Sequence, residues 1–548
     1  MRNYFRATKE SIPTAPGNGE AETLIVRLDE GRRRLGTLSA IGLICNKIVG
    51  TGIFVVTSNM YRLTGSVGLT LILWVIGATF AMAGLYVYME YGTAMPRNGG
   101  EKNYLEFVFK RPKFFVTSLY AAHIVLHGSS VATSVFGAQM VLVALNAQIT
   151  SWSMRGLAIA ILFFLSVVNG VSVKTGLYIQ NTLGSFKILI ITVMSIIGFV
   201  ALAGGIKNAA GTANFKNAFE GSGDVNIYEI VTALYNVFWA FAGYGSVNYA
   251  LGEVQNPIRT LKIAGPLSLV LLTVLYMLVN IAYFAVIPKD VIRNSELQIA
   301  VDFFGIAFGF NARRFSAAII ALSAIGNMSS SVFMQARIIQ QLGREGVLPF
   351  SNFFASSRPF NSPMVGLMEN FIACTITIII PPSGDVYNLM LNLGGYPMNI
   401  INTAISGGLL WTYWQHRKGR IHWNPPIKAG VVITTFFLVG SIYMVIAPYV
   451  PPSDGGNIYH SIPYWTHCVL AWGIFAIGGI YWCFWTRVLP RYGNYKLTYA
   501  EVLGEDGFWR NNIVKVYKDE TRPAANYNSE TNSNISTQGK GGSEEYIK

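Results

Sequence analysis

Charged side chains are scarce in this sequence. Asp, Glu, Lys and Arg make up 12% of its 548 residues, whereas soluble proteins average about 25%. Hydrophobic residues make up 52%, and the mean hydropathy is +0.41. Such a composition is typical of a chain surrounded by lipid, so it argues against a soluble enzyme or a nucleic-acid-binding domain and predicts an integral membrane protein.

Cysteine is also rare, and no cysteine is placed to form a bridge or a metal site. Cys45, Cys374, Cys468 and Cys483 lie within or beside apolar runs and form no CxxC pair, so we expect buried thiols. The sequence contains no Walker A loop, HExxH, GxSxG or metal-spaced His/Cys set. We therefore expect no catalytic residue, no cofactor and no metal, and we do not expect an enzyme.

Apolar runs long enough to cross a bilayer recur along nearly the whole chain. A helix needs about 20 residues for this crossing. We predict about twelve spans, at 37–60, 68–93, 115–147, 154–172, 177–204, 228–250, 263–287, 313–340, 364–381, 387–414, 427–450 and 463–487. The sequence thus predicts an all-α transmembrane domain at 36–490 between polar tails at 1–35 and 491–548.

The two tails have different compositions. The first 35 residues are charged and contain neither an apolar core nor a cleavage site, so they do not predict a signal peptide. The stretch from about 520 is rich in Asn, Ser, Thr and Gly, and we predict that it is disordered. Lys9 is the only lysine before the first span. We expect it to accept ubiquitin from ligases that act at cytosolic tails.

Basic residues are concentrated on one side of the predicted bundle. The loop after span two carries Arg97, Lys102, Lys110, Arg111 and Lys113, and the loops after spans eight and ten are also basic. The positive-inside rule places these loops, and with them both termini, in the cytosol. The net charge of +14 therefore predicts contact with anionic membrane lipid rather than with nucleic acid.

Two glycine-containing stretches interrupt apolar spans about 190 residues apart. They are VGTGIF at 49–54 and FAGYGS at 241–246. Glycine allows the helix to unwind there, and exposed backbone at membrane depth is tolerated only around a cavity or within protein. Paired interruptions of this kind are typical of the binding site of a secondary transporter. The alternative is close helix packing, which also uses small residues.

A helix interruption supplies groups for both ends of an amino acid. The freed N–H groups of the following half-helix suit a carboxylate, and the freed carbonyls of the preceding half suit an ammonium. Gly50 and Gly52 would let a ligand approach the backbone closely, and the hydroxyl of Thr51 could add a donor. The pattern predicts binding of a small zwitterion.

Several motifs resemble those of the amino acid–polyamine–organocation transporters. IVGTGIF at 48–54 resembles their first helix, FWAFAG at 238–243 followed by NP at 256–257 resembles their sixth, and GREGVLP at 343–349 resembles the signature after their eighth. VN at 168–169 with SVK at 172–174 is similar to a linker of the L-type amino-acid transporter branch. The resemblance covers about 35–500.

This resemblance implies a LeuT-like fold, with a 5+5 inverted repeat, discontinuous helices 1 and 6, and two further helices. Narrower matches, such as NGGEKNY at 98–104, NYALGE at 248–253 and LGEDGFW at 503–509, resemble the fungal methionine permeases of that branch. They imply a plasma-membrane protein that imports L-methionine with protons by alternating access. Because shape-based selection is limited, cysteine and related neutral amino acids are expected to enter at lower affinity.

The family's site residues can be carried over position by position. Its carboxylate site matches the amides of Thr51 and Gly52, and its ammonium site matches the carbonyls of Ile48, Trp239 and Ala242. Trp239 also matches an aromatic gate on the outer side. The candidate substrate-binding residues are Ile48, Val49, Gly50, Thr51, Gly52, Trp239, Phe241, Ala242, Gly243 and Asn327.

Two lysines near this site need an explanation, because a cation at membrane depth is costly. Lys187 matches a lysine that replaces a sodium ion in sodium-independent members of the family. It is our candidate for proton coupling, and the alternative is a permanent cation that props the first helix against the eighth. Lys47 could repel cationic substrates, or it could snorkel away from the site or pair with a carboxylate such as Glu90.

Other candidate residues each carry two interpretations. Glu253 could form an inner gate with Arg259, or it could simply lie at the interface. His123 and His127, one helical turn apart, could titrate with pH or be satisfied by backbone partners. Asn327 could line the side-chain pocket or only pack within span eight.

The remaining alternatives concern function and partners. A broad neutral amino-acid permease or an exchanger would share the same fold and would differ in its competition profile. An amino-acid sensor would need a longer cytosolic signalling tail than this chain has. The loop at 151–155 lacks the cysteine that ties some animal members to a glycoprotein, so we expect no disulfide-linked heavy chain.

Overall fold

The computed structural model describes residues 36–96, 99–128, 130–295, 297–382, 384–452, 457, 459–503 and 509–517. Lys9 and the predicted disordered stretch from about 520 lie outside the described residues. Within them, the chain is built almost entirely from helices that pack side by side. The predicted tail at 1–35 is likewise not described.

Helices occupy most of the described chain. The α-helices are α1 (Thr37–Ile48), α2 (Val56–Thr64), α3 (Val67–Ala94), α4 (Glu101–Val108), α5 (Phe115–Leu126), α6 (Val131–Leu145), α7 (Ser151–Val171), α8 (Val173–Leu202), α9 (Ile227–Ala240), α10 (Pro257–Val286), α11 (Lys289–Asn294), α12 (Ile299–Phe308), α13 (Phe310–Arg344), α14 (Ser351–Ala355), α15 (Met364–Ile379), α16 (Val386–Arg417), α17 (Gly430–Ile446), α18 (Thr466–Cys483) and α19 (Leu489–Tyr492). Short 3-10 helices lie at Gly52–Phe54, Ala213–Phe215, Ser222–Asp224, Ser246–Glu253 and Ala447–Tyr449, and a π-helix lies at Phe484–Val488.

The prediction of a multi-pass helical membrane protein is confirmed. In the described part of the chain, eight helical segments are long and apolar enough to cross a bilayer, and three shorter apolar helices accompany them, at Thr37–Ile48, Ile299–Phe308 and Met364–Ile379. Many large apolar side chains on the outer helices are exposed, as expected where helices face hydrocarbon.

Small residues bring several of these helices into close contact. A Cβ on Gly198 of α8 would lie 2.3 Å from the Cβ of Ala282 in α10. A Cβ on Gly366 of α15 would lie 2.6 Å from the carbonyl oxygen of Ala336 in α13. Helices in lipid gain no hydrophobic drive from meeting one another, so close backbone packing of this kind must hold them together.

The C-terminal region contains a β-hairpin, so the expectation of an all-α chain is not met there. Strands β1 (Tyr495–Leu503) and β2 (Trp509–Tyr517) pair antiparallel. The amide of Ile513 donates a hydrogen bond to the carbonyl of Glu345 (2.9 Å), which docks the hairpin at the end of α13. The helical periodicity of the preceding spans ends before this segment, and its pairing partner could not be read from sequence.

The cysteine prediction holds for three of the four residues. Cys45, Cys374 and Cys468 are buried free thiols, as expected, whereas Cys483 is exposed. Cys483 ends α18, a helix that presents much of its surface outward. The sequence could not show which face of this apolar helix meets the bundle.

A buried ionic cluster ties α4 to the end of α13. The ammonium of Lys102 contacts the carboxylates of Glu345 and, at 3.0 Å, Glu106, and Gln341 also donates to Glu345 (2.8 Å). Burial by itself would lower the pKa of Lys102, but the two carboxylates outweigh it and raise the pKa. Lys102 therefore stays protonated, and the cluster joins the segment after α3 to the GREGVLP motif.

Candidate functional site

The first glycine-containing stretch separates α1 from α2. Helix α1 ends at Ile48, and Val49 leaves helical geometry with φ −71° and ψ 83°. The amide of Gly50 turns back to the carbonyl of Ile48 (2.7 Å). The amides of Thr51 and Gly52 donate to no backbone carbonyl among the described residues. These are the two donors that the resemblance assigns to a carboxylate.

The second stretch interrupts the chain after α9. The helix ends at Ala240, Gly243 adopts φ +116°, and a short 3-10 helix resumes at Ser246. The carbonyl of Trp239 accepts from the amide of Ala242 at 3.1 Å. The carbonyl of Ala242 itself accepts no backbone hydrogen bond within the described structure. It is an open acceptor of the kind that an ammonium group requires.

The two interruptions touch each other, which explains why they need glycine. A Cβ on Gly52 would lie 2.8 Å from the Cα of Ala240. A Cβ on Gly243 would lie 2.5 Å from Cγ of Lys47. The backbone of Gly243 is also in the left-handed region, where a residue with a side chain would be strained. The opened backbone segments can therefore approach each other only without side chains at these positions.

A cavity of about 310 Å³ lies where the two interruptions meet, a volume suited to a small ligand. It is lined by all the candidate substrate-binding residues except Val49, which is buried. Aromatic rings and backbone groups therefore surround the same space. Nearly all of the substrate-binding residues predicted from the sequence therefore line one cavity.

The carbonyl of Ile48 is less available than the resemblance implies. It accepts from the amide of Gly50 (2.7 Å) and from the hydroxyl of Tyr276 (2.9 Å). A carbonyl oxygen has two lone pairs, so both are already engaged. Of the three carbonyls assigned to the ammonium, that of Ala242 is the freest.

Lys47 reaches across the cavity to α13. Its ammonium donates to the hydroxyl of Ser331 (3.0 Å), which in turn donates to the side-chain oxygen of Asn327 (3.4 Å). Asn327 also faces Gly50, where a Cβ would lie 2.6 Å from its Nδ2. This series of hydrogen bonds places a lysine and a side-chain amide beside the first interruption.

Glu90 is not the partner of Lys47, so the predicted pairing of these two residues is wrong. Its carboxylate accepts from the indole N–H of Trp423 (2.8 Å), the amide of Ala429 (2.7 Å) and the hydroxyl of Tyr413. These partners lie more than 300 residues further along the chain. Three neutral donors satisfy the buried carboxylate, and the segment before α17 is thereby fixed to α3.

Lys187 lies outside the cavity lining. It is completely buried, and its ammonium donates to the side-chain oxygen of Asn46 (3.2 Å). Asn46 lies two residues before the end of α1 and also donates to the carbonyl of Gln180 (3.4 Å). The lysine thus contacts the first interrupted helix through one neutral side chain.

The backbone of Glu253 ends the 3-10 helix Ser246–Glu253. Its side chain lies outside what the structure describes, so the contact with Arg259 stays a prediction.

The cavity is also lined by residues that are not among the predicted substrate-binding residues. Glu101, which carries a carboxyl group and was named only within the NGGEKNY motif, lines it together with Tyr88 and Tyr249. Burial raises the pKa of this carboxyl group. His123 and His127 line the cavity as well. No backbone acceptor for their Nδ1 atoms exists among the described residues.

The third predicted span is interrupted too, which the sequence did not indicate. Helix α5 ends at Leu126, and α6 begins at Val131. A Cβ on Gly128 would lie 2.6 Å from the hydroxyl oxygen of Thr377 in α15. A single glycine beside histidine and serine gave no clear signal of this break.

Interrupted helices that turn unpaired backbone groups into a cavity at membrane depth define a permease for small polar solutes. A family model for amino acid permeases matches residues 35–474. The chain belongs to the amino acid permease family.

Individual relatives give finer comparisons. The chain is 60% identical to the high-affinity methionine permease of Saccharomyces cerevisiae over 492 residues, which cover 90% of this chain and 86% of that protein. It is 30% identical to the low-affinity methionine permease of the same organism, covering 85% and 84%. It is 29% identical to the human b(0,+)-type amino acid transporter 1, covering 78% and 85%.

Replacing Gly52 with valine is expected to lower amino-acid uptake by at least about fivefold without loss from the cell surface. The added side chain would meet Ala240, and such overpacking costs about 1–3 kcal/mol, where about 1.4 kcal/mol corresponds to a factor of ten. Labelled uptake and surface biotinylation measure the two effects. The control is Gly42→Val in α1, where a Cβ meets nothing within 4 Å. Undiminished uptake by Gly52→Val would remove Gly52 from the site.

Proposed function

We propose that this protein imports L-methionine together with protons across the plasma membrane, and takes cysteine at lower affinity. The observation that carries the proposal is the pairing of open amides at Thr51 and Gly52 with the open carbonyl of Ala242 around one cavity. An amino acid would satisfy both sets of groups at once, with its carboxylate accepting from the amides and its ammonium donating to the carbonyl. The 60% identity to a high-affinity methionine permease supports methionine as the particular substrate.

The cavity lining supports a neutral, flexible side chain. Apart from the backbone groups, the lining includes Phe80, Phe238, Met334 and Met398. Thioether and aromatic groups make favourable contacts with sulfur. Lys47 also lines the cavity, and a cation there disfavours arginine, lysine and polyamines.

The proposed topology has twelve spans, arranged as a 5+5 inverted repeat with two further helices and with both termini in the cytosol. The eight long apolar helical segments and the shorter helices Thr37–Ile48 and Met364–Ile379 supply most of these crossings, and the interrupted α1 and α9 begin the two repeats. The basic loops support the orientation, and their charge supports contact with anionic lipid.

Alternating access requires a gate on each side of the cavity. Trp239 is the proposed outer gate, since it lines the cavity and its ring lies next to Gly394, where a Cβ would be 3.3 Å from Cζ3. Glu253 is the proposed inner gate, because it ends the 3-10 helix that follows the second interruption. Closing both gates would exclude water from the bound substrate.

Lys187 is the proposed coupling residue. It is a buried lysine, and its one hydrogen-bond partner among the described residues is the neutral Asn46, so little there compensates a charge on its amine. Movement of α1 during transport would change that contact and with it the affinity of the amine for a proton. The alternative is a permanent cation that supports α1.

Labelled L-methionine uptake in yeast lacking its own methionine permeases tests this function. Saturable uptake is expected to be faster at acidic than at neutral external pH and to fall with a protonophore, because the inward proton gradient drives it. Excess leucine is expected to compete weakly. Uptake that ignores the protonophore but rises with internal amino acids would indicate an exchanger, and equal competition by leucine would indicate a broad permease. Binding without any uptake would indicate a sensor.

Replacing Lys187 with alanine is expected to lower uptake or to make the remaining uptake independent of external pH. The measurement is the ratio of initial rates at acidic and neutral pH, normalised to surface protein. The control is Lys207→Ala, at an exposed lysine between α8 and the 3-10 helix Ala213–Phe215. A normal rate with a normal pH ratio in Lys187→Ala would assign the lysine a purely structural role.

Lys9 is the proposed ubiquitin acceptor for removal of the transporter from the plasma membrane. It is supported by its position as the only lysine before the first span. A Lys9→Arg variant is expected to stay at the surface when methionine is in excess. Unchanged removal of this variant, measured by surface biotinylation, would exclude Lys9 as a required acceptor.

A further inference from the structure

Two histidines on one face of α5 and its C-terminal end line the cavity. The ring centroids of His123 and His127 are 5.4 Å apart, with planes inclined by 18°. His123 is only 6% exposed. The Nδ1 atoms of both rings have no hydrogen-bond partner in the described part of the chain. Buried polar atoms are nearly always paired, so two cavity-lining rings with unused hydrogen-bonding capacity suggest a ligand.

The position of His127 shows which part of the cavity the pair borders. His127 follows the last residue of α5, where the chain leaves helical geometry with φ −89° and ψ 113°. Its Nε2 would lie 3.4 Å from a Cβ placed on Gly394, and Cζ3 of Trp239 would lie 3.3 Å from the same point. His127 and Trp239 therefore meet at the side-chain-free surface of Gly394.

This wall is separate from the groups that hold the two charged ends of an amino acid. Those groups belong to the interruptions at Thr51, Gly52 and Ala242, whereas the histidines come from the third predicted span. With both charged ends held at the interruptions, the substrate's side chain must extend along the remaining walls. His127 contributes a polar ring to the wall beside Gly394, and His123 stacks on it.

We propose that His123 and His127 form a subsite for sulfur, in which an imidazole N–H donates a hydrogen bond to the side-chain sulfur of the substrate. This inference rests on the proposed function, since it concerns the side chain of methionine or cysteine. A neutral imidazole carries one N–H and one bare nitrogen, and a thioether sulfur is a weak acceptor. The stacked arrangement lets one ring position the other while the donor faces the ligand.

The subsite would distinguish sulfur from a methylene group, because a hydrocarbon cannot accept a hydrogen bond. Norleucine has the length and nearly the shape of methionine, with a methylene in place of sulfur. It would leave the buried N–H without a partner, and an unmade hydrogen bond in a closed site costs affinity. Apolar walls alone would accept the two amino acids about equally. Discrimination between these two near-isosteres therefore isolates the contribution of the histidines.

The test is competition of unlabelled norleucine and methionine against labelled L-methionine in the full-length protein. The wild-type protein is expected to prefer methionine by about five- to tenfold. His127→Leu and His123→Leu, which remove the ring nitrogens, are expected to bring the preference towards one. His127→Gln, which keeps an N–H donor, is expected to retain part of it. Leu126→Ala, at an outward-facing position of the same helix, is the control and should keep the full preference.

Equal competition by norleucine in the wild-type protein would overturn the subsite without any variant. A preference unchanged in both leucine variants, with methionine uptake still measurable, would overturn it as well. Either result leaves the proposed function intact. Absence of methionine uptake by the surface-expressed wild-type protein would instead refute the proposed function itself.

Discussion

Unpaired backbone groups cannot face hydrocarbon, and this constraint determines the centre of the molecule. Each freed N–H or carbonyl at membrane depth costs several kcal/mol unless something satisfies it. The chain nevertheless opens its helices at 49–55 and 241–245. It does so where the two openings meet and where glycine permits contact between Gly52 and Ala240. The openings can persist because they surround a cavity that accepts a polar ligand.

Helix α10 supports the first opening by satisfying the carbonyls that the ligand does not use. The hydroxyl of Tyr276 donates to the carbonyl of Ile48 (2.9 Å), and that of Tyr283 donates to the carbonyl of Ile53 (3.1 Å). Tyr276 also packs against Phe241 of the second opening, with ring centroids 5.3 Å apart. One helix therefore contacts both openings, and the amides of Thr51 and Gly52 donate to no backbone carbonyl among the described residues.

The sequence predicts the parts of this structure that depend on local pattern. The apolar runs predict the membrane helices, and the two glycine clusters predict both main interruptions and the part of the cavity lining that these interruptions supply. The resemblance adds the roles of individual backbone groups. Phe241 could be placed at the cavity because it lies within a motif with a counterpart in the family, whereas Asn327 was selected only as a polar residue of span eight.

Features that depend on distant contacts could not be predicted. The carboxylate of Glu90 is satisfied by Trp423 and Ala429, more than 300 residues away, and nothing near Glu90 indicates this. The break at Gly128 reflects packing against Thr377 of another helix. The β-hairpin docks through the Ile513 amide. In each case the deciding partner is brought close only by the complete fold.

The most direct test of the central claim is ligand-induced thermal stabilisation of the purified protein. L-methionine is compared with its methyl ester, which lacks the carboxylate, and with N-acetylmethionine, which lacks the ammonium. The two-ended site predicts that the melting temperature rises with methionine and changes little with either derivative, because each leaves one set of open backbone groups unpaired. Equal stabilisation by methionine and by either derivative would contradict the assignment of both interruptions to the substrate.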